Sequence, residues 1–393
     1  MFRIARNVQN VSPSKTLAIT AQVNEMKARG EDVIGFGAGE PDFPTPEYIK
    51  DAAKKSLDDN FTRYTPTMGI LPLREAISEK LLKDNSIDYD PKKEIIVTGG
   101  AKMALYEAIA AVTERGDDIL IPDPYWVSYP AMVALAGGNC VYVPTEFEQG
   151  FEIKPEAVES SITPNSKAII INSPNNPTGA VISKKAIKEI ADIAIDNDLL
   201  VISDEIYEHI IYDKKHFSIG SLNGMKENTI TVNGFSKSYS MTGWRLGYAA
   251  GPANIIREMD KIQAHSISSP TSFVQTAGIT ALKGDPGIIT KMVDEFKNRR
   301  DFLVKRVDEI EGLDMRKPDG AFYAFINFAD SELGKKCGGS SEDFSKKTLE
   351  KAKVAFIPGS EFGKMGEGFV RMSYATSMKN IDEGLKRVEK IIG

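Results

Sequence analysis

Short apolar runs alternate along this chain with segments that have the hydrophobic period of an α-helix. Seven runs rich in Val and Ile predict buried strands, and several of them end in Gly, Pro, Asn or Asp: 94–100, 118–123, 139–144, 167–174, 199–205, 228–234 and 245–251. Segment 183–197 predicts a helix, with Ser183 as its N-cap and Ile187, Ile190 and Ala191 on one face. Buried strands joined by helices favour an α/β fold with a mostly parallel sheet that helices cover on both faces.

The pattern changes after about residue 285. A long charged helix is predicted over 287–311, and the apolar runs after it predict strands of a smaller α+β domain: 321–328, 353–359 and 368–375. We therefore expect a large domain over 47–284, built on the seven-stranded sheet, and a small C-terminal domain over 285–393. Residues 1–46 are expected to form an N-terminal arm and part of the small domain, so that both chain ends contribute to it.

The composition is that of an ordinary globular protein, with 41% hydrophobic and 26% charged residues in a chain long enough for two domains. The formal net charge is −6 and no long basic run occurs, which argues against a nucleic-acid-binding surface. Two cysteines and three histidines are too few for a disulfide framework or a His-rich centre, so no metal is expected. The chain shows no signal-peptide pattern and no run of ~18 apolar residues, so we expect a cytoplasmic protein without a membrane span.

Ligands of an open parallel sheet bind beyond the carboxyl ends of its strands, so the chemistry is expected there. The first strand ends in two glycines, and a helix is predicted from Ala101 and Lys102. Free N–H groups at such a helix start suit an anion, although a tight turn explains the glycines equally well. The stretch GFGAGE (35–40) resembles a dinucleotide-binding fingerprint, but Glu40 replaces its third glycine and prolines follow, which excludes that site.

Two further strand ends carry polar side chains. The loop NSPNNPTGA (172–180) is either an ordinary turn or a rigid mount for the amide of Asn176. Asp204 ends a strongly apolar strand, and Tyr207 follows three residues later. A buried carboxylate is costly unless it is paired. Asp204 therefore requires a cation, either a lysine of the protein or a protonated ring nitrogen of a ligand.

Two cations stand among small hydroxyl and glycine residues in the stretch NGFSKSYSMTGWRLGYAAG (233–251). Lys237 follows one strand, with Ser236 beside it, and Arg245 is predicted to begin the next strand. Two cations and a hydroxyl group at strand ends suit a phosphate dianion, and a lysine amine also forms Schiff bases with carbonyl compounds. Arg371, inside a predicted strand, is either a structural arginine or a bidentate site for a carboxylate.

Seven motifs occur in order along nearly the whole chain: GAGEPDFPTP, RYTPTMGI, PDPYWVSYP, NSPNNPTGAV, SDEIYEH, SKSYSMTGWRLGY and VRMSYATS. Together they resemble the fold-type I, pyridoxal-phosphate-dependent class-I aminotransferases, and in particular the aspartate aminotransferase-like subgroup of bacteria and archaea. The resemblance implies pyridoxal 5'-phosphate (PLP) as cofactor and an amino acid and a 2-oxo acid as substrates of a ping-pong reaction. It also implies a homodimer with shared active sites.

The same resemblance implies roles for single residues. Lys237 would be the Schiff-base lysine and proton shuttle, and Asp204 would pair with the pyridine N–H. The other contacts implied for the cofactor ring are Asn176 and Tyr207 at its phenolate oxygen and Trp126 on its face. The contacts implied for the phosphate are Ser236, Arg245, the N–H groups of Ala101 and Lys102, and Tyr64 of a neighbouring subunit. The substrate contacts implied are Arg371, Asn176 and the backbone at Gly39 for the α-carboxylate, with Trp126 also in the substrate site.

Substrate choice depends on fewer residues. The resemblance implies that Lys102 holds the distal carboxylate of a dicarboxylic substrate, with Ser14 and Thr16 close by; otherwise Lys102 is a solvated lysine of a first helical turn. We predict aspartate as donor and 2-oxoglutarate as acceptor. The alternatives are glutamate, prephenate, alanine or aromatic substrates, a C–S lyase or cyclopropane-forming synthase on the same fold, and a non-enzymatic PLP-binding regulator.

Overall fold

The computed structural model describes residue 2 and residues 4–392 of the chain. Its strands are β1 (Ile34–Gly35), β2 (Ile95–Thr98), β3 (Asp118–Asp123), β4 (Asn139–Pro144), β5 (Ser166–Asn172), β6 (Leu200–Asp204), β7 (Thr229–Gly234), β8 (Gly247–Ala250), β9 (Asp314–Met315), β10 (Tyr323–Asn327), β11 (Val354–Ala355), β12 (Ile357–Pro358) and β13 (Phe369–Ser373).

Its α-helices are α1 (Arg6–Gln9), α2 (Lys15–Ala28), α3 (Glu47–Asp58), α4 (Leu71–Lys80), α5 (Ala101–Val112), α6 (Ser128–Ala136), α7 (Pro155–Ser161), α8 (Lys184–Asp196), α9 (Ala253–Ser266), α10 (Ser272–Lys283), α11 (Gly287–Asp308), α12 (Glu332–Lys336), α13 (Ser341–Lys347) and α14 (Met378–Ile392). Across the part of the chain that the structure describes, none of these helices combines the length and the apolar character needed to cross a membrane.

Seven strands form the central sheet in the order β2-β8-β7-β6-β5-β3-β4. Neighbouring strands are parallel except at β8, which runs antiparallel to both β2 and β7. Strands β2, β7 and β8 are buried along their whole length, because helices cover both faces of the sheet. The predicted α/β fold with a mostly parallel seven-stranded sheet is therefore confirmed, and all seven predicted strands belong to it.

Local sequence explains how the helices attach to this sheet. The hydroxyl oxygen of Ser183 accepts a hydrogen bond of 3.2 Å from the backbone N–H of Ala186, so it is the N-cap of α8 as predicted. The apolar face of α8, which includes Ile187 and Ile190, packs in one core cluster with Ile169 of β5. The apolar face of α8 and the apolar side chains of β5 thus pack together in one core.

One predicted strand start is wrong, and a backbone turn explains the error. Arg245 does not begin β8, because it follows a short 3₁₀ turn, Thr242–Trp244, and has a φ of 55°. This left-handed conformation cannot continue into a strand, which begins only at Gly247. The turn directs the guanidinium of Arg245 back toward the start of α5, where its NH2 donates a 3.3 Å hydrogen bond to the carbonyl of Gly99.

The remaining strands form two smaller sheets. An antiparallel sheet has the order β12-β13-β10-β9, and β1 pairs in parallel with β11 through Ile34 and Val354. Helix α14 buries an apolar stripe that includes Ile381 and Leu385 beside these sheets. Both ends of the chain therefore contribute to the smaller layer, whereas the domain limits at 46/47 and 284/285 stay predictions.

Candidate active site

A cavity of about 440 Å³ lies at the carboxyl ends of β5, β6 and β7. Strand-end residues, residues 126–129 and the start of α5 line one part of it, and residues within 14–20 and 37–40 line another part, with Tyr323 and Arg371. The cavity brings together nearly all residues singled out in the sequence: Ser14, Thr16, Gly39, Ala101, Lys102, Trp126, Asn176, Asp204, Tyr207, Ser236, Lys237, Arg245 and Arg371. Tyr64 is the exception, since it is 91% exposed and does not line the cavity of its own chain.

Lys237 lies just beyond the end of β7, and its amine points into the cavity. Nζ donates a hydrogen bond to the backbone carbonyl of Gly39, on the opposite wall. Burial, together with the charges of Arg371 and Arg245, lowers the pKa of Lys237 to about 8, against the opposing effect of Glu40 and Asp204. A substantial fraction of this amine is therefore neutral in mildly alkaline solution, which is the form that acts as a nucleophile.

Asp204 supplies a buried acid beside this amine. It is 4% exposed, and its Oδ1 accepts a 3.2 Å hydrogen bond from the backbone N–H of Ile206. Its Oδ2 accepts a 2.7 Å hydrogen bond from the hydroxyl of Tyr129, on α6. Burial raises the pKa of Asp204 to about 6, although both hydrogen bonds oppose the rise. Asp204 is thus mostly ionised at neutral pH, and sequence reasoning did not single out Tyr129 even though it stands in the quoted PDPYWVSYP motif.

The start of α5 forms an anion site together with Arg245. Gly100 has a φ of 98°, and a Cβ there would come within 2.6 Å of the Arg245 guanidinium. A Cβ on Gly247 would come within 2.3 Å of the backbone nitrogen of Ala101. These glycines let the free N–H groups of a twelve-residue helix, the guanidinium and the buried Ser236 approach one point. A phosphate group fits such a donor set.

Arg371 of β13 offers a second anion site on the facing wall. Its side chain is buried, its NH1 donates 3.0 Å to Oδ1 of Asn176, and its NH2 donates 2.9 Å to the carbonyl of Gly37. Its Nε is buried without a hydrogen-bond partner in the part of the chain that the structure describes. The guanidinium also stacks over the ring of Tyr323 at 4.6 Å. A buried cation held by neutral acceptors suits the carboxylate of an incoming substrate.

Two residues that the sequence reasoning missed hold the predicted contacts in place. The hydroxyl groups of Tyr207 and Tyr323 lie 2.9 Å apart, which positions the Tyr207 ring in the cavity. The Asn172 amide donates 3.0 Å to the carbonyl of Asp204, and its oxygen accepts 2.9 Å from the backbone N–H of Asn176. Asn172 stands in the quoted loop 172–180, so its position at the end of a strand was the available signal.

The outer part of the cavity carries a second set of polar groups. The ammonium of Lys102 lies 4.8 Å from the ring centre of Trp126, and burial, helped by the charge of Arg245, lowers the pKa of Lys102. Across the cavity, the Ser14 and Thr16 hydroxyl oxygens are 2.8 Å apart, and Ser14 also caps α2. The structure therefore places Lys102 in the cavity lining rather than in free solvent.

This chain resembles known proteins over nearly its full length. Residues 31–388 match the family model described as aminotransferase class I and II. A probable aspartate/prephenate aminotransferase of Aquifex aeolicus is 46% identical over 393 residues, which cover 99% of this chain and 98% of that protein.

Solved structures agree with the sequence comparison. The aspartate aminotransferase of Thermus thermophilus with maleate has a TM-score of 0.94 at 40% identity, covering 99% of this chain and 100% of that one. An aromatic aminotransferase from Pyrococcus horikoshii OT3 has a TM-score of 0.89 at 46% identity, covering 95% and 98%. The names of these similar proteins agree on amino transfer and differ on the amino acid.

Proposed function

The chain belongs to the aminotransferases of class I and II, and we propose that it moves the amino group of aspartate to 2-oxoglutarate with PLP as cofactor. One observation carries the proposal. The same cavity is lined by a lysine of lowered pKa, a buried acid and a buried arginine whose Nε has no hydrogen-bond partner among the described residues: Lys237, Asp204 and Arg371. Amino transfer requires these three groups together: an amine, a partner for a protonated ring nitrogen, and a clamp for a carboxylate.

The residues present fit PLP. Its phosphate matches the site formed by the start of α5, Ser236 and Arg245, where a Cβ at Gly100 would fill the space. Its ring nitrogen matches the carboxylate of Asp204, which lies in the lining of the same cavity and is mostly ionised at neutral pH. When bound, PLP supplies an aldehyde carbon for an amine and a ring that stabilises negative charge on the substrate Cα.

Each residue then has a physical task. Lys237 in its neutral form takes the proton from Cα and holds it on Nζ, and Asp204 keeps the ring nitrogen protonated. Arg371 binds the substrate α-carboxylate and turns Cα toward Lys237. Tyr207, held by Tyr323, and Asn176, held by Asn172, fix the polar groups around the ring.

Aspartate is favoured by the outer part of the cavity. Lys102 presents an ammonium over Trp126, and the hydroxyl groups of Ser14 and Thr16 lie in the same lining. A distal carboxylate pairs with such a cation, whereas the methyl group of alanine and the ring of phenylalanine gain nothing from it. The printed names of the similar proteins include aspartate, prephenate and aromatic amino acids, so the donor and the acceptor both have to be measured.

A panel of four amino donors with two acceptors tests this proposal. We expect kcat/KM with 2-oxoglutarate to be at least tenfold higher for aspartate than for alanine or phenylalanine. Glutamate is the fourth donor of the panel, and prephenate is the second acceptor. Lys102→Met should lower kcat/KM for aspartate at least tenfold, or ~1.4 kcal/mol, and leave that for alanine within twofold. A tenfold preference for alanine or phenylalanine contradicts the assignment, and release of pyruvate and ammonia without an acceptor indicates a lyase instead.

We also propose a homodimer in which Tyr64 reaches the phosphate of the neighbouring subunit. The support is the exposure of Tyr64 together with a set of other large exposed apolar residues near the N-terminus: Phe2, Ile4, Val8 and Leu17. Exposed apolar residues favour an interface when they form one patch. Tyr64→Phe should weaken PLP binding at least threefold without changing the molar mass measured by light scattering, and a fully active monomer contradicts the proposal. The cytoplasmic location stays a prediction.

A further inference from the structure

Next to the cavity, but outside its lining, lies a buried group of polar side chains that the proposed reaction does not use. Glu205 follows Asp204 in the chain, and Glu208 follows Tyr207, yet neither faces the cavity. They are 1% and 6% exposed. We call the group the glutamate cluster, and its members are Lys80, Asn85, Glu205, Glu208, His216 and Asn233.

Glu208 is the centre of this cluster. Its Oε1 accepts hydrogen bonds from the ammonium of Lys80 and, at 2.6 Å, from the Asn233 amide. Its Oε2 accepts a 2.6 Å hydrogen bond from the amide of Asn85. Burial by itself would raise the pKa of Glu208, but the charge of Lys80 and the nearby histidines outweigh it and hold the pKa below its ordinary value. Glu208 is therefore a buried, ionised and fully hydrogen-bonded carboxylate.

Glu205 is bound to the same network. Its Oε2 accepts 3.0 Å from the same Asn85 amide and lies 2.9 Å from Nε2 of His216. Its Oε1 accepts hydrogen bonds from Ser203 at 2.9 Å and Ser218 at 2.6 Å. One amide group, that of Asn85, thus joins the two glutamates that follow β6.

The cluster has the donor atoms of a metal site but already contains a cation. Ligand atoms of Glu205, Glu208 and His216 lie within 4.8 Å of one another. The ammonium of Lys80 lies against Glu208 and donates 2.6 Å to Oδ1 of Asn85. A buried ion pair that also satisfies its remaining donors avoids the cost of an unpaired charge. We therefore assign the cation of this cluster to Lys80.

An unusual backbone turn delivers this cation. Helix α4 ends at Lys80 and continues as one turn of π-helix, Leu81–Asn85, and Ser86 after it has a φ of 60°. The wider turn places residues five apart on the same face, which lets Lys80 and Asn85 reach the cluster together. Such turns are frequent at functional sites, yet none of the residues Leu81–Asn85 lines the cavity.

The cluster spans the gap between the two strand ends that carry the chemistry. The ladder between β6 and β7 ends at the pair Asp204 and Val232, followed by one hydrogen bond of 2.9 Å from the N–H of Glu205 to the carbonyl of Val232. Beyond that point, the bond between Glu208 and Asn233 joins the two segments. Asn233 lies four residues before Lys237.

We propose that Lys80 and Glu208 are positioning residues of the amino-transfer reaction. Their ion pair holds the carboxylate of Glu208, whose bond to Asn233 fixes the segment that follows Asp204 and carries Tyr207 against the end of β7, which leads to Lys237. The role follows from geometry, because a shift of about 1 Å between reacting groups costs on the order of 100-fold in rate. This inference rests on the function proposed above, but cofactor affinity tests it independently of turnover.

Glu208→Gln in the full-length protein is the direct test. The substitution keeps the shape and removes the charge that Lys80 requires. We expect kcat for aspartate to fall at least tenfold, KM for aspartate to stay within twofold, and Kd for PLP to rise at least fivefold. Lys80→Met should behave in the same way. In Lys80→Met/Glu208→Gln no unpaired charge is left, and kcat should lie above both single variants and at least threefold below wild type.

Asp213→Asn is the matched control, because Asp213 pairs with the buried Arg300 at 2.9 Å and, in the part of the chain that the structure describes, forms no ion pair with a member of the cluster. It should lower Tm and leave kcat, KM and the PLP Kd within twofold.

If Glu208→Gln lowers Tm as this control does and changes neither kcat nor the PLP Kd beyond twofold, the inference is overturned. If the single variants do not fold, the double variant decides, and a kcat and PLP Kd within twofold of wild type overturn it. A wild-type protein that moves no amino group refutes the proposed function, while the PLP Kd values still test the cluster.

Discussion

The hydroxyl group of Tyr129 donates a 2.7 Å hydrogen bond to the buried carboxylate of Asp204. The two residues are 75 positions apart, on α6 and at the end of β6. This bond stabilises the ionised carboxylate against burial, which raises the pKa of Asp204 to about 6. The ionisation of Asp204, which its proposed pairing with a ring nitrogen requires, is therefore favoured by the Tyr129 hydroxyl.

Tyr129→Phe tests this dependence. Without the hydroxyl the pKa of Asp204 rises further above 6, so less of the carboxylate is ionised at pH 7. A hydrogen bond to a charged group contributes roughly 1.5–3 kcal/mol, so we expect the Kd for PLP to rise about tenfold at pH 7 and to recover partly at pH 9. Titration of the cofactor-free protein with PLP at several pH values measures this. Tyr142→Phe, on β4, is the control, and an unchanged Kd at every pH would rule the idea out.

The lowered pKa of Lys237 predicts a gain in stability when its charge is removed. Below pH 8 the amine is protonated in both the folded and the unfolded chain. The folded state then carries the whole free-energy penalty of burying that charge. Between pH 8 and 10.5 the folded protein loses the proton first, so the penalty fades as pH rises.

Lys237→Met should therefore raise the free energy of unfolding of the cofactor-free protein by about 2 kcal/mol at pH 7, with little gain left near pH 10.5. This gain is smaller than the free energy that corresponds to the full pKa shift, because the side chain keeps some contact with solvent. Chemical denaturation at the two pH values measures it, with Lys185→Met on the exposed face of α8 as control. The variant should also stay colourless with PLP. An equal stability change at both pH values contradicts the prediction.

Arg371→Lys tests the carboxylate clamp. A lysine keeps the charge but cannot bond Asn176, Gly37 and a substrate carboxylate through one planar fork. We expect kcat/KM for aspartate to fall about 100-fold, mostly through KM, because a charge-assisted pair of hydrogen bonds is worth about 3 kcal/mol. The Kd for PLP should stay within twofold. Arg316→Lys, whose guanidinium stacks on Phe147 at 4.6 Å, is the control, and an unaltered KM for aspartate is the result that defeats the assignment.

Two glycines allow the phosphate site to be tested without touching a charged residue. Gly100 and Gly116 have similar φ values, 98° and 106°, so alanine carries similar backbone strain at each. At Gly100 the new Cβ meets Arg245 at 2.6 Å, whereas at Gly116 nothing lies within 4 Å. Gly100→Ala should therefore weaken PLP binding at least tenfold, and Gly116→Ala should lower only Tm. Equal PLP affinity in the two variants would disprove a phosphate site at α5.

The strands and most cavity residues could be predicted because strand ends are visible in the local pattern. Asn176, Asp204 and Lys237 each follow an apolar run, and a parallel sheet brings the ends of such runs to one edge. The start of β8 was predicted wrongly because the left-handed turn at Arg245 has no hydrophobic period. The hydrophobic pattern of the sequence does not predict such a turn, because the turn depends on the packing of the Arg245 guanidinium against α5.

The supporting residues were harder to find, since each acts across a long sequence separation. Tyr323 meets Tyr207 across 116 positions, and Lys80 meets Glu208 across 128. In the sequence Glu208 stands between Tyr207 and His209 and resembles a surface acid, because only the fold shows that it is buried. Contacts of this kind follow from tertiary packing, which a single sequence read by pattern does not specify.

The pairing of β1 with β11 sets an order of events during synthesis. Strand β1 is made early, but its partner Val354 emerges roughly 320 residues later, and Arg371 later still. All seven strands of the central sheet are complete once Ala250 has been made. The residues of the proposed cofactor site are therefore made well before Arg371, the proposed clamp for the substrate carboxylate.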